Sequence, residues 1–170
     1  SSSATFTVTV NSLPTIGISG NNTICLTEST TLTAAGAASY IWSPGGQTTP
    51  TISVSPTSDT TYSVIGTDAN GCANNSATFT VTVNSLPTIG VSGNNTICLT
   101  ESTTLTAAGA ASYIWSPGGQ TTPTISVSPT SDTTYSVIGT DANGCANNSA
   151  TFTVTVNSLP TIGITGNLII

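Results

Sequence analysis

Apolar side chains alternate with Ser and Thr along much of the chain, a period of two that is typical of half-buried β-strands. Residues 29–35 place Thr30, Leu32 and Ala34 on one face, and residues 39–43 place Tyr40 and Trp42 on one face. The same alternation predicts further strands over 15–19, 51–55, 60–67 and 77–83. Residues 15–83 are therefore predicted to contain six or seven short strands, and the fold is predicted to be all-β.

The segments between these strands have turn chemistry. Residues 43–46 are Ser-Pro-Gly-Gly, residues 55–59 contain Pro and Asp, and residues 68–71 are Asp-Ala-Asn-Gly. Pro, Gly, Asn and Asp each favour turn conformations for their own steric or hydrogen-bonding reason. Short strands joined by such turns predict a β-sandwich with a small core, in which Tyr40 and Trp42 are the largest side chains.

The chain repeats itself with a period of 73 residues. Phe6, Phe79 and Phe152 lie in the same ATFTVTVNSLPTIG string, and residues 14–86 differ from 87–159 only at Ile18 against Val91. This period is too long for a solenoid unit and indicates a tandem array of small domains. We expect repeat 1 at 14–86 and repeat 2 at 87–159. Residues 1–13 copy the final strand of a preceding repeat and 160–170 the first strand of a following one, so we expect a longer array.

The composition excludes most chemistry. The chain has no Lys, Arg, His or Met, six Asp or Glu and a net charge of -6, while Ser and Thr make up 61 of its 170 residues. The chain has none of the basic residues that bind nucleic-acid phosphates, and it has no His or Lys that could activate a Ser or Thr nucleophile. Glu28, Asp59 and Asp68 lie at turns or strand starts with no aromatic cleft for a glycosidase pair. The chain is therefore predicted not to be an enzyme and to need no cofactor.

The four cysteines fall at equivalent positions, Cys25 and Cys72 in repeat 1 and Cys98 and Cys145 in repeat 2. One pair in each repeat indicates a disulfide in each, with buried free thiols as the alternative, and a zinc site is poorly supported without His. A bridge closing this loop would stabilise a repeat by about 4 kcal/mol. Disulfides imply an oxidising, extracellular setting.

No stretch approaches the length of a membrane helix, so membrane insertion is not expected. Residues 1–13 lack the features of a signal peptide, and any export signal is expected outside these residues.

The ordered motifs resemble a known family. Each repeat has an early TIC, a YxWSPGG strand and turn, TISVSPTSDTTYSV, and DANGC before the last strand. This series is similar to the short immunoglobulin-like domains repeated in secreted and surface proteins of Bacteroidota. The resemblance implies about seven strands per 73-residue repeat and a bridge from Cys25 to Cys72 that ties the second strand to the final hairpin. It implies a core held by Trp42, Tyr62, Trp115 and Tyr135, and a role in adhesin stalks or fibres exported by the type IX route.

Two features allow a ligand hypothesis. Asp68-Ala69-Asn70-Gly71 and its copy at Asp141 begin like a calcium loop, but the further oxygen ligands are missing, which favours a hairpin turn and no metal. Thr78, Thr80 and Thr82 alternate with inward-facing residues and form a file of hydroxyl and methyl groups, the kind of surface used to bind ice. The alternative is an ordinary exposed strand, because a single file on a twisted sheet is narrow.

Sugar attachment is favoured over catalysis, with chance matches of short motifs in a Ser/Thr-rich chain as the alternative. Asp59-Thr60-Thr61 and Asp132-Thr133-Thr134 match the pattern that resembles the Bacteroidota O-glycosylation acceptor, which makes Thr60 and Thr133 candidates. The N-glycosylation acceptor rule gives a second, weaker set of candidates. These are Asn21, Asn74, Asn94 and Asn147. A surface with 4% charged residues needs glycans or ordered assembly to stay dispersed.

These observations predict a structural repeat of an extracellular filament or adhesin stalk. The expected partners are copies of the chain, with possible strand exchange through 1–10 and 160–170, and covalent glycans. The short link at 84–87 favours an extended rod. The alternative is a binding module whose sheet face or 43–46 loop holds a carbohydrate or an ice surface.

Overall fold

The computed structural model describes residues 3–164 and 166, and all regular structure in this part of the chain is β. It divides into two compact units, residues 1–85 and 86–170. None of the described residues belongs to a helix of the length and apolarity that crossing a bilayer requires.

The first unit has seven strands in two sheets. One sheet has the order β1-β3-β5 and the other the order β2-β7-β6-β4, and every neighbouring pair is antiparallel except β2 with β7. The strands are β1 (Gly17–Ser19), β2 (Thr23–Cys25), β3 (Thr30–Ala35), β4 (Ser39–Ser43), β5 (Thr51–Val54), β6 (Thr60–Thr67) and β7 (Ala77–Asn84).

The second unit repeats this topology, with sheets ordered β8-β10-β12 and β9-β14-β13-β11. Its strands are β8 (Gly90–Gly93), β9 (Thr96–Cys98), β10 (Thr103–Ala108), β11 (Ser112–Ser116), β12 (Thr124–Val127), β13 (Thr133–Thr140) and β14 (Ala150–Asn157). Both units are immunoglobulin-like sandwiches, and the predicted fold class with seven strands per repeat is confirmed.

The core of each unit forms where the inward positions of the two sheets meet. Trp42 is completely buried and Tyr62 is buried beside it, and Trp115 and Tyr135 occupy the same places in the second unit. The Trp42 indole Nε1 donates a hydrogen bond to the carbonyl of Thr49 at 3.0 Å, which satisfies the polar atom of the ring. The period-two alternation therefore assigned the inward residues of the central strands correctly.

The start of each repeat differs from the prediction. The strand predicted over 15–19 is confined to β1 at Gly17–Ser19, and the short strand β2 follows in the other sheet. Gly20 lies between them with φ of +154°, and a Cβ there would come 2.6 Å from the Thr31 carbonyl oxygen. Glycine is therefore required where the chain changes sheets.

Sequence alone does not make a strand of the ATFTVTV motif. Residues 77–83 lie in β7 between β6 and β2, whereas the same motif at 4–10 forms no strand and Phe6 is 90% exposed. Backbone hydrogen bonds in a sheet come from neighbouring strands, and residues 4–10 have none beside them. The parts of the predicted terminal strands at residues 1–2, 165 and 167–170 lie outside the described residues.

Candidate functional surfaces

Each repeat has two opposite ends, which we call the entry pole and the exit pole. The entry pole of repeat 1 comprises loops 36–38 and 68–76, where the chain enters at Thr15 beside Gly36 and the Ala38 N–H donates to the Thr67 carbonyl. The exit pole comprises loops 26–29 and 55–59 and the end of β7 at Asn84. The eight residues of β7 separate the two poles by about 23 Å.

Cys25 lies at the exit pole of repeat 1 and Cys72 at the entry pole. Cys25 pairs in register with Asn84, the last residue of β7. Cys72 lies in the turn between β6 and β7, where its carbonyl accepts the Asp68 N–H at 2.9 Å. Because a disulfide needs Cα atoms within about 7 Å, these two cysteines cannot form a bridge within the repeat. The same topology separates Cys98 from Cys145.

The predicted bridge from Cys25 to Cys72, and with it the prediction of one disulfide inside each repeat, is therefore wrong. Cys25 and Cys145 are disulfide-bonded, whereas Cys72 and Cys98 are free thiols. Cys145 is completely buried and Cys72 is half-buried, although both occupy the same position in their repeats. The bonded cysteines are at the exit pole of repeat 1 and the entry pole of repeat 2.

The carboxylates act as acceptors for backbone N–H groups. Glu28 accepts from Cys25 at 2.9 Å and Asp59 from Val83 at 2.8 Å, both at the exit pole. Asp68 Oδ1 accepts from both Asn70 and Cys72 at 2.8 Å, at the entry pole. Asp68 therefore lies the length of β7 away from Glu28 and Asp59, so these three carboxylates do not form one acid pair.

The Asp68 turn is an Asx turn that fixes the position of Cys72. The hydrogen bond from the Cys72 N–H is the largest cause of a lowered Asp68 pKa, and the bond from the Asn70 N–H acts in the same direction. Burial opposes this effect. Among residues 3–164 and 166, no three His, Cys, Asp or Glu side chains are close enough to hold a metal ion.

The Thr file of β7 belongs to a wider hydroxyl surface, which we call the hydroxyl face. Thr78, Thr80 and Thr82 are all exposed, and the neighbouring strands place Thr61 opposite Thr80 and Thr23 opposite Thr82. The Thr61 and Thr80 Oγ1 atoms are 2.9 Å apart and hydrogen-bonded. The sequence alone does not reveal this width, because the cross-strand register depends on the sheet order.

Two exposed isoleucines border the hydroxyl face. Ile41 of β4 lies opposite Ile65 of β6, and they are 58% and 43% exposed. The four-stranded sheet of each repeat therefore presents hydroxyl and aliphatic groups to solvent, without a charged side chain on β4, β6 or β7.

The sugar-acceptor candidates differ in accessibility. Asn21 and Asn94 are exposed, whereas Asn74 and Asn147 are half-buried and their Oδ1 atoms accept the N–H groups of Gly66 and Gly139. Thr60 and Thr133 are half-buried residues, and their hydroxyls donate to the carbonyls of Ser58 and Ser131 at 2.8 Å. A sugar on Thr60 or Thr133 would replace the hydrogen bond that the hydroxyl donates, whereas a sugar on an asparagine joins Nδ2 and leaves the Oδ1 contact in place. Because Asn21 and Asn94 are exposed, they are the more accessible of the asparagine acceptors.

The exit pole of repeat 2 contains an open cavity of about 450 Å³. Asp132 lines it, but its Oδ1 already accepts the Val156 N–H at 2.8 Å. The cavity is lined by Leu99, Thr130, Ser131, Asp132, Val156, Asn157 and Ser158. Apolar and hydroxyl groups dominate this surface, which lies next to the free Cys98.

Comparison with known proteins gives structural likeness only. No family model and no curated protein matches the chain. The three N-terminal domains of the bacteriophage RB49 Highly Immunogenic Outer Capsid protein are 20% identical over 84% of this chain and 59% of that chain, with a TM-score of 0.45. The fibronectin(III)-like modules of Clostridium thermocellum CbhA are 12% identical over 89% of this chain and 100% of theirs, with a TM-score of 0.40.

A third similar structure is Bacteroides ovatus SGBP-B, which was solved in complex with a mixed-linkage heptasaccharide. It is 21% identical over 81% of this chain and 44% of that chain, with a TM-score of 0.24. The chain thus spans 59% of the phage protein structure and 44% of the SGBP-B structure. Likenesses at these identities and TM-scores assign no ligand or role.

Proposed function

We propose that the chain is a non-catalytic structural segment of an extracellular filament or adhesin stalk, in which immunoglobulin-like repeats follow one another head to tail as a rod. Its repeats begin at Pro14 and Pro87, and residues 1–13 and 160–170 belong to neighbouring repeats. The chain is decorated with O-linked sugar at Thr60 and Thr133. Its sequence resemblance to surface domains of Bacteroidota supports export by the type IX route.

The observation that carries this proposal is the separation of the poles. The chain enters each repeat at one pole and leaves it at the other, about 23 Å away along β7. A domain with this property extends an array with every copy added, whereas a domain whose ends are adjacent folds the array back. The short link at 84–87 leaves little chain for such folding.

The chemistry of the surface supports the same proposal. Each acid of repeat 1 accepts hydrogen bonds from backbone N–H groups and so has a structural role. The disulfide-bonded state of Cys25 and Cys145 is typical of proteins outside the reducing cytosol.

Small-angle X-ray scattering of the 170-residue chain tests the rod. A compact globule of this length has a radius of gyration of about 16 Å, and we expect a clearly larger value with the scattering profile of an elongated particle. A radius near that of the globule would overturn the proposal. The intact mass of native material tests the other parts, since a mass far above 16.8 kDa with hexose-sized increments is expected for a glycosylated array.

A second function is favoured by the hydroxyl face. Exposed Thr side chains at the fixed spacing of a sheet offer regular donors and acceptors beside aliphatic groups, a surface suited to carbohydrate or ice. If this face binds, T80K with T153K will abolish retention on a glycan array or in an ice-affinity assay. The matched control is T31K with T104K, which places the same charges on exposed positions of the three-stranded sheets. Equal retention of the two variants would exclude the face.

A further inference from the structure

The loop between β6 and β7 carries a glycine directly after an exposed asparagine. Asn70 and Gly71 follow Asp68 in the Asx turn, and the same pair recurs as Asn143 and Gly144 in the second repeat. No other asparagine of the chain is followed by glycine. This pair has a chemistry of its own, because the backbone nitrogen of the following residue can attack the asparagine side chain and glycine offers that attack the least steric resistance.

We propose that Asn70 and Asn143 are sites of spontaneous, irreversible deamidation, which converts each asparagine to aspartate or isoaspartate and adds one negative charge to the entry pole of its repeat. This inference goes beyond the proposed function. It needs only the turn inside one repeat.

The reaction has two steps and consumes one water molecule. The Gly71 nitrogen attacks Cγ of Asn70, a C–N bond forms in a five-membered succinimide ring, and the side-chain amide leaves as ammonia with the proton that Gly71 loses. Water then opens the ring. Cleavage at Cγ restores the ordinary main chain with an aspartate, and cleavage at the main-chain carbonyl gives isoaspartate, whose main chain runs through Cβ and Cγ.

The turn leaves the reacting atoms accessible. Asn70 and Gly71 are both exposed, and a Cβ added to Gly71 would have no atom within 4 Å. Gly71 has φ of +82°, where a side chain is disfavoured, so the turn itself favours the residue with the least shielded nitrogen. The Gly71 N–H donates to the Asp68 carbonyl at 3.2 Å, at the long end of the range for such bonds. Because water can replace that acceptor at an exposed turn, freeing the nitrogen costs little.

Two asparagines of the same loop provide the contrast. Asn74 is half-buried, and its Oδ1 accepts the Gly66 N–H at 2.6 Å, which holds the side chain on β6. Asn75 is exposed like Asn70 but is followed by Ser76. Asn75 is therefore the internal comparison for the effect of the glycine.

Conversion acts on the turn that holds the loop. Asp68 Oδ1 accepts the N–H groups of Asn70 and Cys72 at 2.8 Å, so a new carboxylate at position 70 stands two residues from an existing one. A like charge disfavours the ionised form of Asp68, and the chain has no Lys, Arg or His to compensate it. Isoaspartate also adds a carbon atom to the main chain of the turn. We expect both changes to loosen residues 68–76.

The test incubates the 170-residue chain at mildly alkaline pH, where a backbone nitrogen loses its proton more readily. Mass spectrometry follows after reduction and digestion with chymotrypsin, because the chain has no Lys or Arg for trypsin. We expect Asn70 and Asn143 to show the mass change of an amide replaced by an acid, in aspartate and isoaspartate forms, before Asn75 reacts. Ion-exchange chromatography should show a shift of one charge for each converted site.

Variants assign the reaction to each repeat, because residues 63–79 and 136–152 give identical peptides. N70Q should leave only the reaction at Asn143, and N143Q only the reaction at Asn70. The double variant should release no ammonia over the same interval, because the longer glutamine side chain closes its ring far more slowly. The matched control N75Q should react as the wild type does, and circular dichroism verifies that every variant is folded.

Two results would overturn the inference. One is a folded chain that keeps Asn70 and Asn143 intact over an interval in which the chain unfolded in urea deamidates there, because the turn would then protect them. The other is a folded chain in which Asn75 reacts as fast as Asn70, because the glycine and the turn would then not direct the reaction. Neither result bears on the rod, which scattering tests separately.

Discussion

Residues 14–86 and 87–159 differ at one position, yet the two repeats differ in the state of their cysteines. Cys72 is a half-buried free thiol, and its copy Cys145 is completely buried and disulfide-bonded. Cys25 is bonded, and its copy Cys98 is an exposed free thiol. Identical sequences with the same strand order and core cannot decide which copy is oxidised. The local sequence of a repeat therefore does not by itself set the redox state of its cysteines.

The core provides the strictest test that the repeats are otherwise equivalent. Trp42 and Trp115 are 0% and 1% exposed, and each indole donates to a backbone carbonyl at 3.0 Å. We expect W42A to destabilise repeat 1 and W115A to destabilise repeat 2 by the same amount, about 3–5 kcal/mol. Denaturant unfolding measures both, because each variant retains one Trp that reports on the unchanged repeat and circular dichroism follows the whole chain. Losses that differ by more than about 1 kcal/mol would break the equivalence.

A smaller effect is expected at Asn74 and Asn147. Each side chain accepts the N–H of a buried glycine, Gly66 or Gly139, in the strand that precedes its loop. Since N74A or N147A leaves that donor unsatisfied, each should cost about 1–3 kcal/mol in the free energy of unfolding.

The control for this pair is N21A with N94A, where the amide oxygen accepts an exposed N–H at 3.2 Å. Water replaces that acceptor, and we expect a change within about 0.5 kcal/mol. A loss as large as that of N74A would show that burial is not the cause.

Thr27 and Thr100 hold a strained backbone at the exit poles, with φ of +80° and +79°. A β-branched residue is disfavoured there by about 1–2 kcal/mol, and Gly recovers this while costing about 0.5–1 kcal/mol in chain entropy. T27G and T100G should each stabilise their repeat by about 0.5–1 kcal/mol. T31G and T104G change exposed residues of β3 and β10 and should instead destabilise their repeats. If the change in the free energy of unfolding had the same sign in both pairs of variants, the strain argument would be contradicted.

The smallest effect is a pH dependence through Asp68. Its pKa in the folded chain is below the ordinary 3.8 because backbone N–H groups of Cys72 and Asn70 stabilise the carboxylate. The stabilisation is therefore complete above about pH 3.8 and is lost as the pH falls through the lowered value. Thermal unfolding between pH 6 and 2.5 should show a decline that D68N reduces, and an unchanged slope in D68N would exclude this carboxylate as the source.

The sequence by itself determined the class of fold and the inward residues. Alternation with period two placed Leu32, Trp42 and Val64 inside, because each side of a strand faces one environment. The repeat period predicted two equivalent repeats, and the turn residues at 43–46, 55–59 and 68–71 predicted where strands end. These are local properties that neighbouring residues specify.

Only the tertiary structure decided the pairing of the cysteines and the width of the hydroxyl face. The parallel pairing of β2 with β7 puts Cys25 at the opposite pole from Cys72, and the sheet order puts Thr61 beside Thr80. Both facts depend on which strands become neighbours, and the three residues of β2 are too few for a periodic signal. The equivalent spacing of the cysteines in the two repeats is compatible with a bridge within each repeat. The length of β7 excludes that bridge, because it holds Cys25 and Cys72 at opposite poles.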